Sequence, residues 1–384
     1  MNANRTALLL TGGGARAAYQ VGVLAAVREL LPDPQRNPFP ILCGTSAGAI
    51  NAAALAVGAD DFAAAVQNLR RIWENFHAGD VYRADPLGIA VSGAGWLSAL
   101  TFGWALRRSP RSLLDTAPLR RMLAENIDLS RLDAVINEHC LHSVSITCSG
   151  YASGESVSFF QGRQDIEPWR RSQRIGAHVK LGIEHLMASS ALPFIFPAVK
   201  LNREYFGDGS MRQLSPISPA IHMGADRVLV IGAGRMADEN PRRHADRYPS
   251  LAQIAGHALS SIFLDSLAVD LERIQRINRT LALVPEATRR NGALRLRHID
   301  ILVISPSQRL DYMAARHAGS LPRSVRALLR GLGAMNRYGG ALTSYLLFEP
   351  SYTRALIDLG YRDTMAREDE MRRFLELGSD SNSS

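Results

Sequence analysis

The chain has 384 residues, 46% hydrophobic and 21% charged, a balance that supports one large core or two smaller ones and excludes global disorder. Its formal charge of +8 is carried mostly by arginine, since lysine occurs only at Lys180 and Lys200, and it favours anionic partners: nucleic acid, anionic lipid or an acidic substrate. The three cysteines, Cys43, Cys140 and Cys148, form no CxxC and cannot pair without leaving one over, so they read as reduced, buried, small apolar residues.

The opening "MNANRTALLLTGGG" holds one basic residue and an apolar run too short for the core of a signal peptide, and no small-residue cleavage site follows. A cytoplasmic location is expected. "ALLL" (7–10) reads as a strand that ends in a glycine cluster, and "AAYQVGVLAAVREL" (17–30) has helical spacing of its apolar residues. "ILC" followed by "SAGAINAAALAV" repeats the scheme. Two strand-to-helix turns in succession predict a parallel, helix-covered sheet. Thr116 and Pro118 mark a helix start at "TAPLRRMLAENI", with Thr116 as its cap. Strands are predicted at 142–151, 226–234 and 298–306. From about residue 235 the chain turns polar and then mostly helical, with a long helix over 251–279. The organisation expected is therefore 1–235, a mainly helical extension over 236–376, and a disordered tail at 377–384.

Within "ILCGTSAGAIN", Gly44, Ser46 and Gly48 spell GxSxG between an apolar strand and a helix. That is the setting in which a serine sits on a sharp turn with Oγ exposed at the carboxyl edge of a sheet. The alternative is a serine that caps its helix. Gly12, Gly13 and Gly14 follow the first strand, and their backbone N–H groups suit a phosphate or a tetrahedral oxyanion. Gly12, Gly14 and Ala17 also fit a dinucleotide loop, but that fold needs an acid at the end of the second strand, and the nearest, Glu29, lies on the intervening helix. An oxyanion loop is the better reading, with a plain tight turn as the alternative.

A nucleophilic serine needs a base. His222, His244, His257, His298 and His317 are available, yet none sits in a clear loop after a strand with a matching acid. Asp208, between Gly207 and Gly209 in "EYFGDGSMRQLSP", can approach another loop closely, and partial desolvation raises a carboxyl pKa towards a useful range. An ordinary Asp-Gly turn explains the same letters.

In this order, "GGGARAAYQVG", "GTSAGAINA", "ASSALPFIFPAV" and "GDGSMRQLSP" resemble the patatin-like phospholipase family over about residues 7–235, and "SYLLFEPSYTRALIDLGYRD" (344–363) is similar to the C-terminal extension of many bacterial members. The resemblance implies a three-layer α/β/α fold, a mainly parallel sheet, and a Ser-Asp dyad without a catalytic histidine. By motif, Ser46 is similar to the nucleophile and Asp208 to the proton acceptor; Gly12, Gly13 and Gly14 look like the oxyanion loop with Arg16 beside it, and Gly44, Gly48 and Gly209 are motif glycines. Ala17 stands where the family usually has the loop's last glycine, and Ser210 where Gly or Ala follows Asp-Gly.

The implied activity is hydrolysis of phospholipid or lysophospholipid esters without cofactor or metal; the alternative is a lipid-binding or regulatory protein on the same fold. "PLGIAVSGAGWLSALTFGWAL" (86–106) is uncharged but too glycine-rich for a good spanning helix. It reads as a flap or interfacial segment over 86–111, with Trp96, Phe102 and Trp104 at headgroup depth and Arg107 and Arg108 on anionic lipid, as at the inner face of a membrane. A buried core segment is the rival. The helix over 254–278 is expected to pack on the sheet. The basic clusters near 290 and 325 lack interleaved aromatics, so no nucleic-acid partner is expected, and nothing in the sequence sets an oligomeric state.

Overall fold

In the computed structural model, residues 5–83, 112–234, 251–285, 296–331, 333–335 and 340–377 are described. Thr6–Leu10 (β1) leads through the glycine loop into Ala18–Leu30 (α1), and Ile41–Thr45 (β2) turns at Ser46 into Ala47–Val57 (α2). Both expected strand-to-helix turns are present. Phe62–Glu74 (α3) starts where the Asp61 carboxylate accepts the Ala64 N–H at 2.9 Å, an N-cap. Ala78–Val81 (α4) is a single turn, and Ala117–Asn126 (α5) follows. Thr116 holds the N-cap position of α5 but makes no capping bond with its side chain; the Asp115 carboxylate takes the Ala117 N–H instead, at 2.9 Å.

Leu132–Asn137 (α6), Ser143–Gly150 (β3), Ser156–Gly162 (β4), Trp169–Arg171 (β5), Arg174–His178 (β6) and Ile183–Ser189 (α7) come next. Val199–Leu201 (β7) and Glu204–Asp208 (β8) form a hairpin, followed by Ser218–His222 (α8) and Arg227–Ile231 (β9). Beyond residue 250 lie the long Leu251–Ala282 (α9), Asp300–Ile304 (β10), Leu310–His317 (α10), Arg323–Gly331 (α11), Gly340–Leu346 (α12), Pro350–Met365 (α13) and Glu368–Phe374 (α14).

The sheet runs β10-β9-β1-β2-β3-β4-β6-β5, with β8 pairing both β3 and β7. Neighbours from β10 to β3 are parallel, and β4 then runs antiparallel to β3. The chain leaves β1 towards β2 on one side, and β9 returns to β1 on the other. β1 is thus the point where strand order reverses, and its carboxyl end is where an open α/β sheet forms a crevice for ligands.

Side chains alternate across the sheet with the period of two that a strand imposes. Leu8, Leu10, Leu42, Val144 and Ile146 face a core completed by α1, α2, α3, α5 and α13, whereas Ala7, Leu9, Ile41, Cys43 and Val228 face Ile217, Ala220 and Leu267, Leu271 and Ile274 of α9. The architecture is three-layer α/β/α with a mainly parallel sheet, as the motifs implied. The helix expected to pack on the sheet does so through the inward stripe of α9.

The segment read as a helical extension joins the same sheet and core. β10 pairs in parallel with β9, and α13 crosses α1 where Gly22 meets the Ile357 carbonyl and Gly360 the Tyr19 carbonyl, so that a methyl at either would strike backbone. Cys43 and Cys148 are buried as expected, while Cys140 is only half-buried. Trp96, Phe102, Trp104, Arg107, Arg108 and the rest of 86–111, together with His244 and the tail from 378, fall outside the described residues. Among the described residues no helix is long and apolar enough to cross a membrane.

Candidate active site

Strand pairing brings Ser46 and Asp208 together. β2 runs parallel to β3 and ends with Thr45 opposite Thr147; β8 runs antiparallel to β3 and ends with Asp208 opposite Cys148. Since β4 occupies the other edge of β3, the carboxyl ends of β2 and β8 meet end to end, one register step apart. Ser46 follows the first end and Asp208 closes the second. Two further bonds fasten the junction: the Thr45 hydroxyl donates to Gln213 Oε1 at 2.9 Å, and the Ser149 hydroxyl to the Gly209 carbonyl at 3.2 Å.

Ser46 has φ 56° and ψ −131°, a conformation costing a non-glycine residue about 1–3 kcal/mol unless its surroundings hold it. They do. Its N–H donates to Ser189 Oγ at 2.8 Å, and the Ser189 hydroxyl in turn donates to the Thr147 carbonyl at 2.7 Å. Gly48 lies so close to the Leu10 carbonyl that a Cβ there would collide with it, and a Cβ on Gly44 would reach Ala49 Cα at 2.5 Å. Gly209 likewise abuts the Thr147 carbonyl. The Ser46 side chain makes no capping bond, so it is not held by the helix it precedes.

Asp208 is 1% exposed. Oδ1 accepts the Ser210 N–H at 2.9 Å, and Oδ2 is buried without a hydrogen-bond partner. Burial raises its pKa from 3.8 to about 6, against the opposing pull of the Ser46 hydroxyl and of Ser210. The Ser46 hydroxyl is therefore near enough to act on the carboxylate, yet no formed hydrogen bond joins it to Oδ2, the loose geometry common in ligand-free sites. Burial and the Asp208 charge push the neighbouring Cys148 thiol well up, which keeps it protonated and inert.

The glycine loop lies across from this pair. No acceptor among the described residues takes the N–H groups of Gly12, Gly13 or Gly14. Gly14, at φ 54°, lies against the Tyr345 backbone and lines the same cavity as Ser46. A buried polar chain ties the loop to α2: Gln20 Nε2 donates to the Thr11 carbonyl at 2.8 Å, Asn51 Nδ2 to Gln20 Oε1 at 2.9 Å, and Trp73 Nε1 to Asn51 Oδ1 at 2.8 Å. Arg16, placed by motif at the oxyanion loop, turns away from the cavity. Its guanidinium donates to Ser344 Oγ at 2.8 Å and Tyr345 Oη at 3.1 Å, and sits 4.0 Å from the Tyr345 ring centroid. It braces α12 against the loop.

Ser46, Gly14 and Ser190 open onto a narrow cavity of about 40 Å³, otherwise lined almost wholly by apolar side chains of α2, α3 and α5 with Phe196 and Phe348. Among the described residues no histidine lines it. His222 stacks on Trp169 at 4.8 Å, and burial with nearby arginines holds its pKa down at about 4. The arrangement offers a hydroxyl at the polar end of an apolar cavity, a buried carboxylate behind it with one unused oxygen, and a glycine loop of which Gly14 lines the same cavity.

The family model described as "Patatin-like phospholipase" matches residues 8–221, more than half of the chain. The chain belongs to the patatin-like phospholipase family. A curated relative, the cGAMP-activated phospholipase of Pseudomonas aeruginosa, is 26% identical over 204 residues, 53% of this chain and 52% of the relative. The chain thus spans about half the length of the curated relative it matches. Among solved structures, VipD from Legionella pneumophila aligns over 96% of this chain and 67% of its own, at 13% identity and a TM-score of 0.39. Human GIVD cytosolic phospholipase A2 aligns over 97% of this chain and 60% of its own, at 11% identity and a TM-score of 0.44.

Several residues of this patatin-like site carry no distinguishing letter pattern. Ser189 and Ser190 lie inside "ASSALPFIFPAV", but only the fold reveals that one holds the Ser46 N–H and the other lines the cavity. Gln20 and Asn51 stand at otherwise apolar helix positions, a signal that buried polar groups with partners were required there. Phe348 comes from beyond the family match, inside the stretch 344–363 that resembles the extension, but nothing in those letters pointed to the cavity.

Proposed function

We propose that this chain is a serine acyl hydrolase of lipid esters, phospholipid or lysophospholipid, working through Ser46 and Asp208. The observation that supports the reading is the meeting of β2 and β8 on β3, with a strained, cavity-lining serine beside a buried carboxylate that has an unused oxygen. Asp208 Oδ2 takes the proton of Ser46 Oγ, which attacks the ester carbonyl. The carbonyl oxygen becomes an anion, for which the N–H groups of Gly12, Gly13 and Gly14 are the proposed donors; Gly14 lines the same cavity as Ser46. The alcohol leaves with the proton from Asp208, and an acyl group remains on Ser46. Water, deprotonated by Asp208, then attacks the acyl carbon; the bond to Ser46 Oγ breaks, Oγ takes the proton back from Asp208, and the fatty acid is released. A carboxylate near 6 is a stronger base than one at 3.8 and is still ionised at neutral pH.

The apolar wall suits an acyl chain, and the arginine-followed segment 86–111 suits an anionic membrane surface that supplies the substrate. The decisive experiment is fluorophosphonate labelling together with phospholipid, lysophospholipid and triglyceride hydrolysis by wild type, Ser46→Ala and Asp208→Asn. Ser46→Ala is expected to lose labelling and turnover, by a factor on the order of 10⁴ or more. Equal labelling of wild type and Ser46→Ala removes Ser46 from the role. A histidine substitution as damaging as Asp208→Asn restores a triad.

A further inference from the structure

The cavity beside Ser46 has a direction and a length. Its polar contacts at the β-strand edge are Ser46, Gly14 and Ser190, whose Oγ is buried and has no hydrogen-bond partner. From there the wall follows α2 through Ala47, Ile50 and Ala54. α3 returns antiparallel to α2, with Trp73 bonded to Asn51 midway, so that Leu69 lies near the Ala54 end. Arg131, just beyond α5, pairs with Asp60, just beyond α2, at 2.8 Å, which sets Asn126 and Ile127 at that same end. Asn126 is exposed there, so the slot reaches solvent where α2 finishes.

We infer that α2 is a ruler for acyl-chain length, a proposal that rests on the ester hydrolysis argued above and names the substrate class. With the carbonyl at Ser46, the fatty chain lies along α2 towards Ala54. That path measures about 12 Å at about 1.5 Å of helix rise per residue. An extended chain advances about 1.2 Å per bond, so the slot takes about ten carbons, and further methylenes emerge past Asn126 into water. The site is therefore matched to medium-length saturated chains, and each carbon within the slot contributes while each beyond it does not.

Turnover of p-nitrophenyl esters from butyryl to palmitoyl tests this. The specificity constant is expected to rise about fourfold per methylene, the factor for burying one, until about ten carbons, and then to level. Ala54→Leu moves the break a few carbons shorter, and Ile50→Phe, about half-way along, moves it further still. A break that neither substitution moves, or a rise that continues unbroken to palmitoyl, overturns the ruler even where turnover depends on Ser46. Titration of saturated fatty alcohols into Ser46→Ala reads the same break without catalysis. A break there, with no Ser46-dependent turnover, upholds the ruler and fails the hydrolase reading; its absence there overturns the ruler.

Discussion

Replacing Asp208 by Asn is expected to abolish activity while making the protein more stable, and the gain depends on pH in a defined direction. The Asp208 carboxyl titrates at 3.8 in an unfolded chain and at about 6 in the fold, because burial opposes its charge. Below pH ~4 both states hold the proton. Between about 4 and 6 the unfolded chain releases it and the folded protein retains it, so stability falls as pH rises across this window. Above pH ~6 the folded protein carries a buried charge whose Oδ2 lacks a partner. At about 1.36 kcal/mol per tenfold, the full cost is about 3 kcal/mol. Asn keeps the acceptor for the Ser210 N–H and never ionises. Melting curves of wild type and Asp208→Asn should coincide near pH 4 and separate by about 4 °C at pH 8, given an unfolding entropy of about 2.1 cal/mol/K per residue. Equal melting temperatures at pH 8, or a gap unchanged between the two pH values, would refute the claim that Asp208 is held as an uncompensated buried base.

The same carboxylate predicts an acid limb in kcat/KM with a single-proton midpoint near pH 6 and a tenfold fall per unit below it, read from a pH-rate profile on a soluble ester. Ser189→Ala leaves the Ser46 N–H without its acceptor in a buried site; stability should fall by about 1–3 kcal/mol in a denaturant titration and kcat by at least tenfold, since the strained turn loses its support. Arg16→Met removes the guanidinium from Ser344 and Tyr345, and is expected to cost about 3 kcal/mol by the same titration. Deleting residues 90–104 should weaken binding to anionic liposomes in a flotation assay and spare hydrolysis of a short-chain ester; unchanged flotation favours a core role for that segment.

β1, β2 and β9 were legible because they are buried on both faces and read as continuous apolar runs punctuated by glycine, whereas β3 alternates serine or threonine with apolar residues and β10 is only partly buried. The antiparallel half gave weaker signals. β5 and β7 are three residues each, and the hairpin of β7 and β8 is held by its pairing with β3 rather than by its own pattern. α3 is different: Asp61 as cap and Phe62, Ala65, Val66, Leu69 and Trp73 at helical spacing were a usable signal. At the site, the letters around Ser46 and Asp208 set local turns, but their meeting depends on β8 taking the edge of β3 that β2 vacates. That is a long-range pairing, and no window of sequence contains it. Arg16 shows the same limit from the other side, since its neighbours in sequence point to the loop while its hydrogen bonds go to residues more than three hundred positions away.

The match to the family ends at residue 221, yet the cavity does not. β9 receives the Thr11 N–H through the Ile231 carbonyl at 3.3 Å, and Ala233 N–H returns a bond to Thr11 Oγ1 at 3.0 Å, so the start of the glycine loop is anchored by residues outside the match. α12 lies on Gly14 and is gripped by Arg16; Tyr82 Oη donates to the Leu346 carbonyl at 2.9 Å, and Phe348 closes part of the apolar wall. Glu349, nearly buried, accepts from the Ala78 N–H at 3.3 Å and contacts His77 Nδ1 at 3.1 Å, which fixes the end of that wall to α4. The shared part of the fold thus supplies the serine, the carboxylate and the glycines, while the C-terminal part sets how the loop is held and how the apolar cavity is closed. Variation after residue 221 can therefore alter the shape of the cavity without touching Ser46, Asp208 or the glycines.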